Sequence, residues 1–158
     1  MKMSKVIDNP NDMICLGEEI GKELKENMVI LMEGDLGAGK TTLTKGIAKS
    51  LGVTRVVNSP TFTILKIYEG DLTLYHMDVY RLDNESGDEY LEEYFEAGGV
   101  TVIEWAHQVS DILPKNYLLI TIDYLDNSAR RITLEAADLE GNEEYINIVK
   151  KVMWKWKH

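Results

Sequence analysis

Cysteine, proline, arginine and long apolar runs are all scarce in this chain of 158 residues. Its one cysteine, Cys15, excludes an internal disulfide and suits a reducing compartment. No apolar run approaches the length that crosses a bilayer. The N-terminus passes from Met1-Lys2-Met3-Ser4-Lys5 into the polar Asp8-Asn9-Pro10-Asn11-Asp12 instead of an apolar signal core. A cytoplasmic protein with no membrane segment is expected. The only arginines are Arg55, Arg81, Arg130 and Arg131, and the formal net charge is −10. Because the ending Lys150 to His158 holds four lysines, the remainder carries about −14. Such a surface lacks the cationic face that binds tRNA or DNA broadly, so a protein partner is expected before direct nucleic-acid contact. Repeats, linkers and low-complexity segments are absent too. The length therefore predicts a single domain over 1–158.

What is present is a regular alternation of elements. Met13, Leu16, Ile20 and Leu24 recur at helical spacing behind Asn9-Pro10, predicting a helix from Pro10 to Glu26. Met28-Val29-Ile30-Leu31-Met32 reads as a strand buried on both faces. Leu43, Ile47, Ala48 and Leu51 predict the next helix, which Gly52 stops. Thr61 to Tyr68 and Leu72 to Tyr80 predict a hairpin reversing at Glu69-Gly70-Asp71; its second strand puts His76 and Asp78 on one side. Asp83 to Glu96, with seven acidic residues and no basic one, predicts an acidic amphipathic helix. Val100 to Glu104 is an apolar strand ending in a carboxylate. A second hairpin, turning at Asp126-Asn127-Ser128, and a closing helix from Tyr145 to Trp156 complete the chain.

The chemistry concentrates in Gly34-Asp35-Leu36-Gly37-Ala38-Gly39-Lys40-Thr41, which matches the phosphate-binding loop at every fixed position, between a buried strand and a helix. Such a loop must turn backbone N–H groups inward and adopt positive φ, which glycine permits. Lys40 then reaches the β- and γ-phosphates, the Thr41 hydroxyl ligates Mg²⁺, and Thr42 adds a hydroxyl near the α-phosphate. ATP with Mg²⁺ is the expected ligand.

Hydrolysis also needs carboxylates, and Glu104 and Asp78, both at strand ends, are the candidates. His76, taken alone, reads as a packed or surface histidine. A hydroxyl in Ser59-Pro60-Thr61-Phe62-Thr63 suits sensing of the γ-phosphate or metal, and a capped turn suits it equally. The Lys/Trp ending reads first as a helix C-terminus with one tryptophan packed on the sheet, with phosphate contact plus base stacking as the alternative.

Together, Gly34 to Thr42, Ser59 to Thr63, His76-Met77-Asp78-Val79-Tyr80-Arg81 and Val102-Ile103-Glu104-Trp105 resemble, in order and spacing, the bacterial TsaE (YjeE) proteins of tRNA threonylcarbamoyladenosine biosynthesis. The resemblance implies a slow ATPase working with TsaB and TsaD, with tRNA met through that complex. It implies that Thr41 and Glu104 hold the metal, that Asp78 and Thr61 act near the γ-phosphate, and that Trp105 shapes the site or the partner surface. Which of Asp78 and Glu104 orients the water stays open.

Other classes remain as alternatives. A small-molecule kinase needs a cationic lid, which four scattered arginines do not readily build. A GTP switch needs an Asn-Lys-x-Asp motif, which is absent. A nucleotide-sensing module without hydrolysis is the third. The expected fold is a P-loop α/β domain in three layers, α/β/α, around a mixed sheet that is parallel at its centre.

Overall fold

The computed structural model describes residues 1–35, 37–58, 65–79, 88–104, 112–126 and 128–155, with backbone alone for 88–90. The strands are β1 (Lys2–Ile7), β2 (Val29–Gly34), β3 (Leu65–Tyr68), β4 (Leu74–Asp78), β5 (Val100–Glu104), β6 (Leu118–Tyr124) and β7 (Arg130–Glu135). The α-helices are α1 (Pro10–Glu23), α2 (Lys40–Ser50) and α3 (Glu143–Lys155), and a 3₁₀ segment covers Asp88–Glu96. Among the described residues the strands form one sheet in the order β1-β7-β6-β2-β5-β4-β3.

The four central strands, β6, β2, β5 and β4, run parallel, while β1, β7 and β3 join antiparallel. The expected mixed, centrally parallel sheet is therefore observed. Both expected hairpins form, β3–β4 and β6–β7. Side-chain alternation sorts the core into two. Ile30, Met32, Leu74, Val102, Ile120 and Ile122 face all three α-helices. Val29, Leu31, Met77 and Ile103 face Leu91 and Phe95 of the 3₁₀ segment on the other side.

Helix α1 begins as the sequence predicts: the Asn9 side chain accepts the Asp12 N–H at 2.8 Å and Pro10 takes the first turn. It ends at Glu23 rather than Glu26, because Leu24 turns to extended backbone and buries its side chain, and Asn27 reverses the chain at φ +67°. Against α1 lies α2, backbone to backbone. A Cβ on Gly17 would strike the Leu43 carbonyl, and one on Gly46 would strike the Ile14 carbonyl. Ser50, the last residue of α2, donates its hydroxyl to the Glu18 carbonyl at 2.7 Å and ties the end of α2 to α1.

Lys2–Ile7, to which the sequence pattern assigned no element, is an edge strand whose only buried residue is Ile7; its hydrogen bonds come from β7. Two further expectations need correction. The acidic segment is 3₁₀ rather than α-helical over Asp88–Glu96, closing with a bond from Ala97 N–H to the Tyr94 carbonyl at 3.3 Å. It docks through Leu91 and Phe95, without the long apolar stripe that sustains an α-helix. Of the predicted strands 61–68 and 72–80, Leu65–Tyr68 and Leu74–Asp78 are strand while Leu72, Thr73 and Val79 are not; 61–64 and Tyr80 lie outside the described residues. Trp156, which the sequence puts at the end of the closing helix, also lies outside them; Trp154 is exposed. The lysines near it pair with α1: Lys155 lies 2.8 Å from Glu19 and Lys151 3.4 Å from Glu23.

Candidate functional site

Parallel strands deliver their C-terminal ends to one edge of a sheet, and that edge is where α/β folds place ligands. Here β2 ends at Gly34, β4 at Asp78 and β5 at Glu104, with Met32 and Asp78 both in register with Glu104. The phosphate loop leaves β2 at this edge and closes on α2. Gly34 lies against β6, where a Cβ would come within 2.7 Å of the Ile122 carbonyl, and Gly37 and Gly39 adopt φ +81° and +118°.

The N-terminus of α2 differs from those of its neighbours. Helix α1 carries Asp12 in its first turn and α3 carries Glu143 and Glu144, whereas α2 has no acidic residue there and no side-chain cap. With no acidic side chain beside them, its first amide groups present the positive end of the helix dipole, which suits an anion. Thr41 and Thr42, half-buried, stand in that first turn.

Lys40 is buried. Its ammonium donates to the Gly34 carbonyl at 2.8 Å and lies 3.7 Å from Glu104 Oε1. Glu104, 4 % exposed, shares the helix-facing side of β5 with Val102, and its Oε2 lies 2.7 Å from Nε2 of the fully buried His76. An ammonium, a carboxylate and an imidazole are thereby gathered behind the loop in a water-poor setting, where charge interactions are strong. Asp78 is half-buried at the adjacent strand end.

The β6–β7 hairpin braces the loop from outside. Tyr124 donates its hydroxyl to the Gly37 carbonyl at 3.0 Å, and Arg130 Nε donates to the Ala38 carbonyl at 3.1 Å. The Arg130 guanidinium sits 3.9 Å over the Tyr124 ring and donates to the Asp126 and Ala129 carbonyls. Within the turn, the Ala129 and Ser128 N–H groups donate to Asp126, and they hold its carboxyl below the usual aspartate range. Between this brace and the start of α1 is a cavity of about 170 Å³, lined by Pro10, Met13, Gly39, Thr42 and Arg130 among others.

A family model described as threonylcarbamoyl adenosine biosynthesis protein TsaE matches residues 7–132. The chain belongs to the TsaE family. It is 50% identical over 129 residues to the tRNA threonylcarbamoyladenosine biosynthesis protein TsaE of Bacillus subtilis, covering 81% of this chain and 82% of that one. To the protein of the same name from Treponema pallidum it is 42% identical over 140 residues, covering 84% and 99%. The crystal structure of YdiB from Bacillus subtilis superposes with a TM-score of 0.84 at 37% identity, covering 99% of this chain and 97% of that one. The fold is thus the P-loop α/β fold of the TsaE proteins.

Of the residues the TsaE motifs single out, the structure brings together Gly34, Gly37, Ala38, Gly39, Lys40, Thr41, Thr42, Asp78 and Glu104 at one sheet edge. Asp35 is exposed at the loop's start and its carbonyl accepts the Ala38 N–H at 3.0 Å. Leu36, Thr61 and Trp105 lie outside the described residues. Sequence reasoning missed the Tyr124–Arg130 brace and read His76, taken alone, as a packed or surface histidine. The placement of His76 and Asp78 on one side of β4 was the available clue.

Proposed function

We propose that this TsaE-family chain is a Mg²⁺-dependent ATPase acting with TsaB and TsaD in the formation of threonylcarbamoyladenosine in tRNA, supporting turnover of the partner complex. The observation that carries this reading is the 3.7 Å approach of Lys40 Nζ to Glu104 Oε1 behind an uncapped helix N-terminus. A phosphate binder alone has no use for a buried carboxylate there; charge repulsion with the phosphates makes it a cost unless a cation intervenes.

The donor set fits Mg²⁺ brought by a nucleotide. Among the described residues no group of three or more His, Cys, Asp or Glu is placed to hold a metal. A Thr41 hydroxyl and a Glu104 carboxylate are hard oxygen donors of the kind Mg²⁺ takes in small number, with phosphate oxygens and water filling its octahedron. Bound there, the cation would neutralise charge on the phosphates. Lys40, presently held by the Gly34 carbonyl and near Glu104, would donate to the β- and γ-phosphates. The α2 amides and loop N–H groups would cradle the same oxygens. Asp78 and Thr61 are assigned to the γ-phosphate end, and Trp105 to shaping the site or the partner surface. Base and ribose would extend toward the cavity beside Pro10, Met13 and Arg130.

With a net charge of −10, the chain is suited to meeting tRNA through its protein partners rather than directly. The test is phosphate release from ATP by the pure chain and by the chain with matching TsaB and TsaD. Stimulation by the partners, lost in Lys40→Ala and Glu104→Ala, is expected. Full phosphate release from both variants would overturn the catalytic assignment. Binding of ATP without any hydrolysis under either condition would favour a nucleotide-sensing module.

A further inference from the structure

The two oxygens of Glu104 have different neighbours: Oε1 lies 3.7 Å from Lys40 Nζ, and Oε2 lies 2.7 Å from His76 Nε2. His76 is wholly enclosed, and its Nδ1 has no hydrogen-bond partner among the described residues. A carboxylate can only accept, so the short contact requires the proton on Nε2. The other tautomer would set two lone pairs against each other and bury an unpartnered N–H. The imidazole therefore acts as a single donor with one target.

A histidine kept only for packing would have no reason to aim its polar edge at a carboxylate. Its neighbour on the same side of β4 is Leu74, its register partner on β5 is Val102, and an apolar side chain would fill that space. We propose that His76 is a positioning residue for Glu104. By holding Oε2 it fixes the rotation of the carboxylate and leaves Oε1 as the oxygen turned toward Lys40 and the phosphate loop. A carboxylate without this donor would rotate about its last torsion, and its oxygen would face the cation only part of the time. Second partners of this kind typically alter metal affinity ten- to a hundredfold. This inference rests on the Mg²⁺-nucleotide reading of the site.

The experiment uses the whole chain, Mn²⁺ as the metal and a non-hydrolysable ATP analogue, with bound Mn²⁺ followed by electron paramagnetic resonance. Affinity for the analogue in chelator is measured separately. His76→Leu is expected to weaken Mn²⁺ binding to the analogue complex about tenfold or more, while metal-free analogue affinity stays within about twofold. His76→Gln, whose amide N–H reaches as far as Nε2, is expected to restore most of the loss, and the shorter His76→Asn to restore none. The Gln/Asn pair decides the matter if the Leu variant does not fold. Equal Mn²⁺ affinity in all folded variants, or equal loss in Gln and Asn, would overturn the proposal. If the wild type bound the analogue but no Mn²⁺, the metal reading beneath it would fall. If it bound neither, the nucleotide reading would fall as well.

Discussion

The Tyr124 hydroxyl donates to the Gly37 carbonyl at 3.0 Å, joining the end of β6 to the phosphate loop across 87 residues of sequence. Glycine lets that loop adopt φ +81° and +118°, but the same freedom would leave it mobile. The brace from Tyr124 and Arg130 ties down the Gly37 and Ala38 carbonyls. With the path of the loop fixed in this way, less ordering remains to be done on binding.

Tyr124→Phe should keep the ring under the Arg130 guanidinium while losing the hydroxyl. A net hydrogen bond of about 1 kcal/mol corresponds to a roughly fivefold weaker nucleotide affinity. Arg130→Ala removes its bonds to three carbonyls and the stacking, so a loss of about tenfold or more is expected. Titration with a fluorescent nucleotide checks both. Unchanged affinity in Arg130→Ala would show that the brace does not shape the loop.

Lys40 and Glu104 should separate binding from turnover. On the proposed reading Lys40→Ala removes a charge-assisted donor to phosphate, so it should weaken nucleotide binding about ten- to a hundredfold. Glu104→Gln keeps shape and should leave binding within a few-fold, while phosphate release in the presence of TsaB and TsaD falls about a hundredfold or more. Parallel binding and phosphate-release assays on the same preparations decide it. A Glu104→Gln protein with undiminished turnover would remove the carboxylate from the chemistry.

The phosphate loop was legible because its determinants are local: glycines, one lysine and one threonine at fixed spacing after a five-residue apolar run, Met28 to Met32. Glu104 was legible for the same reason, as the acid closing Val100 to Ile103. The partnership of His76 with Glu104 spans 28 residues and depends on β4 lying parallel beside β5, which neither segment's pattern reveals. Strand β1 was illegible for a related reason. Its residues alternate between exposed and half-buried until Ile7, so its strand character comes from the unpaired edge of β7 and not from its own side chains. In the acidic segment Tyr90, Leu91, Tyr94 and Phe95 stand at helical spacing. Leu91 and Phe95 dock, Tyr94 packs beside them half-buried and the Tyr90 side chain lies outside the described residues, but that spacing did not show that the backbone would tighten to 3₁₀.

Acid should loosen the brace before it unfolds the sheet. The Asp126 carboxyl is held below its ordinary range by the Ala129 and Ser128 N–H groups, so the folded turn favours the carboxylate. A depressed acid contributes stability that is fully present above the unfolded value near pH 4 and is lost as pH falls through the folded value. Amide exchange at Ala129 and Ser128 should therefore quicken as pH falls below about 4, relative to the chemical rate at each pH. In Asp126→Ala those amides should be unprotected already at neutral pH. Protection that persists in the variant would assign the turn's order to other contacts.

The seat of the loop depends on how closely α1 and α2 approach. A methyl group on Gly46 points at the Ile14 carbonyl, within the backbone of a well-formed helix rather than at a side chain that can turn away. Gly46→Ala would raise helix propensity by about 1 kcal/mol, yet the overlap must push the helices apart and strain a close-packed contact, which costs about 1–3 kcal/mol. The steric term should win because the same displacement also stretches the bond from Ser50 to the Glu18 carbonyl and shifts the first turn of α2. Lower thermal stability together with weaker nucleotide binding is expected, whereas Ala48→Gly, on the same helix, should lower stability with less effect on binding. Thermal unfolding and nucleotide titration of the two variants side by side separate these effects. A Gly46→Ala protein as stable as the wild type would mean that the helix contact yields without cost, and that the position of the loop is set by β2 and the brace alone.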